Sequence, residues 1–373
     1  MSEDNTDVGL GRLRLQIDTI DRQLVELLER RAETVIAIGE HKRSKGGPIY
    51  APHREAEVLS RAIEYAAQAG GRLPARTIEA VFREIMSGSF ALERPLRIGY
   101  LGPSGSFSHQ AAVANFGQSV SFEDLRAIPD VFVEIRRGHI DYGLVPIENS
   151  TAGSVRETLD AFAEHGAELH IYAEFVMQIR QALLGWGPAA GIRRVHSKPE
   201  ALAQCRKFLS VQLPDTELVP SASTSAAVIA VREMGARGER GDAAIASPLA
   251  GTLHGVPALF EGIEDDPNNL TRFVILAREA AVPSGDDKTS VMFTVGDAPG
   301  ALVEVLACFG NAGINLSHID KRPSRRENWS YTFFVDALAH RSDEVFAEAI
   351  AAARVHCREL IVLGSYPRAR RVR

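Results

Sequence analysis

Cysteine is scarce in this chain. Cys205, Cys308 and Cys357 are the only three among 373 residues. They are odd in number, far apart and without metal-ligand spacing, so free thiols in a reducing cytoplasm are the simple reading. No apolar run is long enough to cross a bilayer, and no membrane partner is expected. Positive charge is not in excess: the formal net charge is −6, which argues against a general nucleic-acid binder. The amino terminus, "MSEDNTDVG", is acidic and polar, unlike a secretory signal. The segment "GPSGS" is neither a phosphate loop nor a dinucleotide fingerprint. No Asp/Glu/His cluster suggests a metal and no Ser/His/Asp arrangement is readable, so neither a metal nor a cofactor is expected. Repeats and low-complexity segments are lacking too.

What is present reads as ordinary soluble protein, 45% hydrophobic and 24% charged, with length for two or three domains. Residues 1–95 are helical in pattern, with breaks at "SKGGPIYAP" and "AGGRLP". Residues 96–281 alternate short apolar strands with Gly/Ser loops and helices, as an α/β fold does. The stretch "AVPSGDD" is a linker by composition. Residues 288–366 read strand, helix, strand, strand, helix, strand, a ferredoxin-like α+β unit. The fold class is therefore multidomain.

The first long helix, from about Leu10 to Lys45, has the apolar stripe Leu13, Ile17, Ile20, Leu24, Leu27, Val35 and Ile38. Arg31 and Lys42 fall on the continuation of that stripe, about three helical turns apart. Each alone could reach solvent by its long stem. Two on one stripe suggest an internal pocket that receives an anion, because a buried unpaired cation is costly. Pro52 opens a second helix with Arg54 and Glu55 in its first turn, and Ser89 and Glu93 continue the apolar face Ile78, Phe82, Ile85 of a third.

With "YAPHREAEVL" and "FREIMSGSFALE", this region resembles the all-helical chorismate mutase domain. In that family two chains interlock, which implies a homodimer, and one pocket is built mainly by each chain. By position the resemblance implies Arg14, Arg31, Lys42, Arg54, Glu55, Ser89 and Glu93 as pocket residues, with Arg14 entering the partner's pocket. The implied chemistry is a Claisen rearrangement. Arginine forks suit the two carboxylates of chorismate. Lys42 and Glu93 would face the ether oxygen where negative charge develops. Two positions depart from some members: Ala51 replaces a carboxylate and Glu93 replaces glutamine. Glutamate donates only when protonated, so mutase activity is expected to fall as Glu93 ionises.

In the middle region several strands end in hydroxyl or amide loops that open helices, gathering N–H groups that attract anions. Ser197 with Glu200, and Ser154 with Glu157, read as capping boxes. The stretch "EDDPNNLTRFVILARE" sets Thr271 and Arg272 where a polar loop becomes an apolar strand. Taken with "VPIENSTAGSV" and "HSKPEALAQC", it resembles prephenate dehydratase, whose fold is two α/β lobes around a cleft, like a periplasmic binding protein. The matching positions are Glu148, Asn149, Ser197, Gln204, Thr271 and Arg272, with Ser106 in the glycine loop and Ser223 and Thr224 in "STS". The resemblance implies that Thr271 hydrogen-bonds the ring hydroxyl of prephenate and assists its loss. Arg272 would bind a carboxylate or form an ion pair with Asp265 or Asp266.

In the last region "VGDAPGALVEVLACF" and "HIDKRPSRRENWSYTFFVD" resemble the ACT domain appended to prephenate dehydratases, which binds phenylalanine between paired domains. Gly300, Ala301, Leu302 and Val303 match its first motif. Asp320, Lys321, Arg322 and Pro323 stand where Glu-Ser-Arg-Pro is usual, so Asp320, Arg322 and Pro323 are the implied effector contacts. The whole chain then reads as a cytoplasmic bifunctional enzyme of phenylalanine synthesis. It takes chorismate to prephenate and prephenate to phenylpyruvate, with phenylalanine as effector. A single-function dehydratase with a helical dimeriser, a non-enzymatic amino-acid sensor, and arogenate as substrate stay open.

Overall fold

The structure is a computed structural model. It describes residues 3–45, 49–324 and 330–369. The break at 46–48 and the 325–329 part of the last motif lie outside the described residues.

The first unit is three helices, α1 (Glu3–Lys45), α2 (Pro52–Gln68) and α3 (Ala75–Glu93). Helix α1 starts seven residues before the expected Leu10. Pro52 opens α2, where a missing N–H costs nothing. At 43 residues α1 is about 65 Å long, against about 28 Å for the 19-residue α3 beside it. Much of its apolar stripe therefore finds no neighbour within this unit. Val35 is buried, but Leu13 is 59% exposed and Leu24 52%.

The second unit holds two α/β lobes and a third sheet. Its first lobe contains β1 (Arg97–Leu101), α4 (Phe107–Phe116), β2 (Ser121–Leu125), α5 (Ile128–Arg137), β3 (Tyr142–Asn149), β4 (Gly153–Ser154), α6 (Arg156–His165) and β5 (His170–Gln178). The chain then crosses to the second lobe. This comprises β6 (Ala182–Gly185), β7 (Arg194–Ser197), α7 (Pro199–Gln204), α8 (Arg206–Gln212), β8 (Glu217–Pro220), α9 (Thr224–Ala236), β9 (Asp242–Ala246), α10 (Pro248–His254) and β10 (Ala258–Glu261). It returns through 262–269 into β11 (Leu270–Ala277), which inserts antiparallel between β3 and β5. The sheet orders are β2-β1-β3-β11-β5 and β10-β6-β9-β7-β8. Two lobes joined by two crossings is the architecture expected from the motifs.

The third sheet belongs to β12 (Asp287–Thr294), α11 (Ala301–Asn311), β13 (Leu316–Pro323), β14 (Tyr331–Ala337), α12 (Glu344–Val355) and β15 (Glu359–Pro367), in the order β13-β14-β12-β15. This is the expected βαββαβ unit. Alternation along its strands gives it two dry faces. Val291, Phe293 and Val335 pack with α11 and α12. Met292, Phe334, Leu363 and Tyr366 point the other way, into the first lobe's core beside Ile171 and Val274. The approach is close enough that a Cβ at Gly364 would lie 2.2 Å from the Ile171 carbonyl oxygen, so only glycine fits.

Candidate functional site

In the helical unit, Arg31 and Lys42 both reach α3. Arg31 Nη1 donates to Ser89 Oγ at 2.6 Å, and Ser89 donates to the Ile85 carbonyl. Lys42 Nζ lies 3.1 Å from Glu93 Oε2 and 3.4 Å from the Ile49 carbonyl. Burial lowers the Arg31 pKa from its usual value. A half-buried guanidinium beside a hydroxyl, with an ammonium–carboxylate pair about three helical turns farther along α1, is suited to a small anion with a polar centre. Glu55 is in a buried ion pair with Arg83, 3.0 Å, which ties α2 to α3. Arg54 pairs with Glu57 at 2.6 Å on an exposed face. Arg14 is exposed on α1, about 26 Å of helix from Arg31, too far to serve the same pocket in one chain.

In the two-lobed unit, Thr271 sits at the start of β11, just after the second crossing, and is 8% exposed. It stands opposite Asn149 of β3. Asn149 Nδ2 donates to Thr271 Oγ1 at 2.9 Å, to Asn269 Oδ1 at 2.8 Å and to the Leu270 carbonyl at 3.1 Å. Glu148 and Asn149 belong to the end of β3 rather than to the loop beyond it.

Strand alternation sends the next pair of residues to the opposite face. Arg272 stands opposite Glu148, and its guanidinium meets the third sheet. Nη1 donates to Asp336 Oδ2 at 2.6 Å and lies 3.6 Å from Glu148, and Nε lies 3.9 Å from Glu174. The expected partners Asp265 and Asp266 are replaced by Asp336, because the side chain points away from the crossing that holds them. Lys288 pairs with Glu174 at 2.8 Å, and Ser290 donates to Asp336 at 2.5 Å. Burial alone would lower the Arg272 pKa, but Asp336, Tyr366 and Glu174 outweigh it and raise it. Burial opposes ionisation of Asp336 as well, yet Arg272 and Lys288 hold its pKa below the usual carboxylate range. A guanidinium so enclosed is a structural tie; this geometry does not favour its binding a substrate carboxylate.

Ser106 caps α4, accepting from His109 N at 3.2 Å and donating to the Leu101 carbonyl. The glycine loop is anchored again where Gly105 N donates to His109 Nδ1 at 3.0 Å. Burial keeps the His109 pKa low, so this nitrogen stays an acceptor. Gly105 has a positive φ of 82° and lies against Ala250 of α10; Ser247, which caps α10, donates to its carbonyl at 2.7 Å. The loop of one lobe thus touches a helix start of the other. Ser223 caps α9 by accepting from Ala226 N, and Thr224 opens that helix. Gln204 accepts from Gln181 at 3.1 Å beside the first crossing.

Ser197 departs from expectation. It is fully buried, its hydroxyl donates to the Ile245 carbonyl at 2.6 Å, and α7 is preceded by Lys198 with no side-chain cap. The Ser154 capping box is likewise absent, since α6 begins after Val155. In both cases the helix starts one residue later than a box requires.

In the third sheet, Gly300 (φ 83°) precedes α11 and leads into Ala301, Leu302 and the exposed Val303. Asp320 and Arg322 lie on the edge strand β13, on the face turned to the first lobe, where Arg322 forms a two-pronged pair with Asp160 at 2.9 and 3.0 Å. Pro323 ends the strand. The two motifs therefore occupy opposite faces of the sheet within one chain.

Asn269, Glu174, Lys288 and Asp336 were not singled out from sequence. The signal for Asp336 was present: a lone acid in the otherwise apolar strand "YTFFVDA". Among the described residues no group of three or more His, Cys, Asp or Glu could hold a metal ion, and no helix is long and apolar enough to cross a membrane. The three cysteines are free thiols.

Comparison with known proteins places three families along the chain: chorismate mutase type II over residues 13–94, prephenate dehydratase over 98–281 and the ACT domain over 289–355. The chain is 39% identical over 367 residues to a bifunctional chorismate mutase/prephenate dehydratase of Stutzerimonas stutzeri, covering 96% of this chain and 98% of that protein. The crystal structure of a prephenate dehydratase from Arthrobacter aurescens in complex with L-Phe matches with 34% identity and a TM-score of 0.68, over 74% of this chain and 90% of that one. A structure described as a novel type of quorum-quenching acylase, GqqA, matches with 28% identity and a TM-score of 0.66, over 74% and 98%.

Proposed function

The chain belongs to the bifunctional chorismate mutase/prephenate dehydratase family, and from that premise we propose how its residues divide the work. Residues 1–95 rearrange chorismate to prephenate, residues 96–281 convert prephenate to phenylpyruvate, and residues 288–366 bind phenylalanine and slow the second step. The setting is the cytoplasm, and the assembly is a homodimer.

In the mutase pocket Arg31 and Arg54, with Arg14 of a second chain, hold the two carboxylates, and Ser89 and Glu55 complete the lining. Lys42 and Glu93 stand at the ether oxygen and stabilise the charge that grows there as the C–O bond breaks. No nucleophile is needed; holding the folded conformer supplies much of the rate. The observation that supports this reading best is the meeting of Arg31 with Ser89 and of Lys42 with Glu93. A helical dimeriser would have no use for cations on that face.

In the cleft, Ser106, Ser223, Thr224 and Gln204 bind prephenate from helix starts and the crossing. Thr271 donates a hydrogen bond to the ring hydroxyl. As the ring carboxylate leaves as carbon dioxide, its electron pair enters the ring and the C–O bond breaks. The hydroxide, stabilised by Thr271, takes a proton from solvent and leaves as water. Aromatisation drives the step.

In a pair of ACT domains, Gly300–Val303 of one and Asp320, Arg322 and Pro323 of the other bracket phenylalanine. The exposed edge strand β13 and Val303 make such pairing available. The test is a time course with purified protein and chorismate alone. Prephenate appears first, then phenylpyruvate, and added phenylalanine slows only the second. Chorismate left unchanged while added prephenate is consumed would reduce the helical unit to a dimeriser.

A further inference from the structure

We propose that Asn269 is a positioning residue for the dehydratase reaction, and that with Asn149 it fixes the direction in which Thr271 offers its proton. The proposal rests on the reading of Thr271 as the donor to the departing hydroxyl.

The argument is one of hydrogen-bond polarity. The Asn149 side-chain oxygen faces the backbone N–H groups of Thr151, at 3.0 Å, and Ala152, at 2.9 Å. Both can only donate, so an oxygen must stand there. The Thr151 hydroxyl donates to the same atom at 2.7 Å. The other end of the amide is then nitrogen, a choice the Leu270 carbonyl also demands. A nitrogen that can only donate makes Thr271 Oγ1 the acceptor at 2.9 Å and requires Asn269 to present its oxygen at 2.8 Å. The hydroxyl of Thr271 has one proton, and Asn149 does not use it. That proton is left for the substrate, and a hydroxyl that accepts a bond is a better donor.

Asn149 is also saturated. Its two amide hydrogens serve three acceptors and its oxygen serves three donors. Binding prephenate through it would break a bond already made. Its part is therefore positioning, where the sequence suggested substrate binding. Asn269 completes the set. It is 2% exposed, its own carbonyl accepts from Ile179 N at 2.8 Å, and it ties both crossings to the amide that holds Thr271. Without its side-chain oxygen one N–H of Asn149 loses its acceptor, and the amide is free to turn away from Thr271.

The test uses the full chain, with kcat and KM for prephenate, mutase activity and the thermal midpoint measured on each variant. Asn269→Asp keeps the accepting oxygen and is expected to hold kcat within about tenfold, whereas Asn269→Leu loses about a hundredfold, the scale of one preorganised donor, with KM little changed. Asn149→Asp turns a forced donor into an acceptor that captures the Thr271 proton. Its kcat relative to wild type at the same pH falls similarly, then that ratio recovers as the pH drops toward the ordinary aspartate range near about 4, where the carboxyl can donate again. Wild-type kcat in Asn269→Leu, or equal losses in the Asp and Leu variants, overturns the role of Asn269. If Asn269→Leu does not fold, the Asn149→Asp pH profile decides, and the lack of acid recovery overturns the proposal. Thr271→Val is the separate control: full activity there defeats the reading of Thr271 itself, whatever Asn269 does.

Discussion

Arg272 donates to Asp336 across 2.6 Å, and this contact joins the strand that bears Thr271 to the sheet of the ACT domain. The two neighbours in sequence, Thr271 and Arg272, face opposite sides of β11. One meets the Asn149 amide and the other the sheet of the ACT domain.

Removing one partner of this pair leaves the other buried without its nearest counter-ion. Asp336→Asn or Arg272→Ala is therefore expected to cost about 3–5 kcal/mol of stability, against near zero for the exposed Arg54–Glu57 pair. Denaturant unfolding of the dehydratase–ACT unit measures it. A loss below 1 kcal/mol, on the scale of a surface pair, would show that the cluster is solvated.

Glu93 gives a prediction for the mutase pocket. Glu93→Gln removes the ion pair with Lys42 at 3.1 Å and supplies a permanent donor to the ether oxygen, so mutase kcat is expected to rise several-fold. An unchanged or lower rate in Glu93→Gln sinks the assignment.

The glycine loop gives the dehydratase an acid limit of its own. His109 has a lowered pKa in the fold and accepts from Gly105 as the neutral ring. The sign follows: the stabilisation is full above the unfolded histidine value, about 6.5, and is lost as the pH falls through the lower folded value. Dehydratase activity should drop on the acid side while thermal stability of that unit drops with it. His109→Gln, which cannot titrate, should remove the acid-side loss in both.

The bare stripe of α1 predicts the assembly. Leu13, Ile17, Ile20, Leu24 and Leu27 are each about half exposed on a helix longer than its neighbours. A second copy of α1 would cover them, and would bring Arg14 to the other pocket. Leu24→Asp is expected to give a monomer by sedimentation and to lower mutase activity at least about tenfold, since patches of this kind rarely stay exposed in monomers. A dimeric Leu24→Asp variant would place the interface elsewhere.

Much of this was legible beforehand because local chemistry dictates it. The period of α1 exposed Arg31 and Lys42 as anomalies, and alternating strands and helices gave the α/β class, while the two lobes came from the resemblance to prephenate dehydratase. Register was not legible. Which face of β11 holds Arg272, and that Ser197 lies buried under the Ile245 carbonyl, depend on strands brought together from distant parts of the chain. The placement of Asp336 is a tertiary fact of the same kind, and Asn269 gains meaning only once Asn149 stands beside it.

The most direct test of the central claim is the chorismate time course run on wild type and Arg31→Ala. Wild type should pass through prephenate to phenylpyruvate. Arg31→Ala should leave chorismate nearly untouched, at least about a hundredfold slower given the loss of a bidentate carboxylate contact, while consuming added prephenate at the normal rate. Equal chorismate turnover in both proteins would contradict the assignment of the helical pocket.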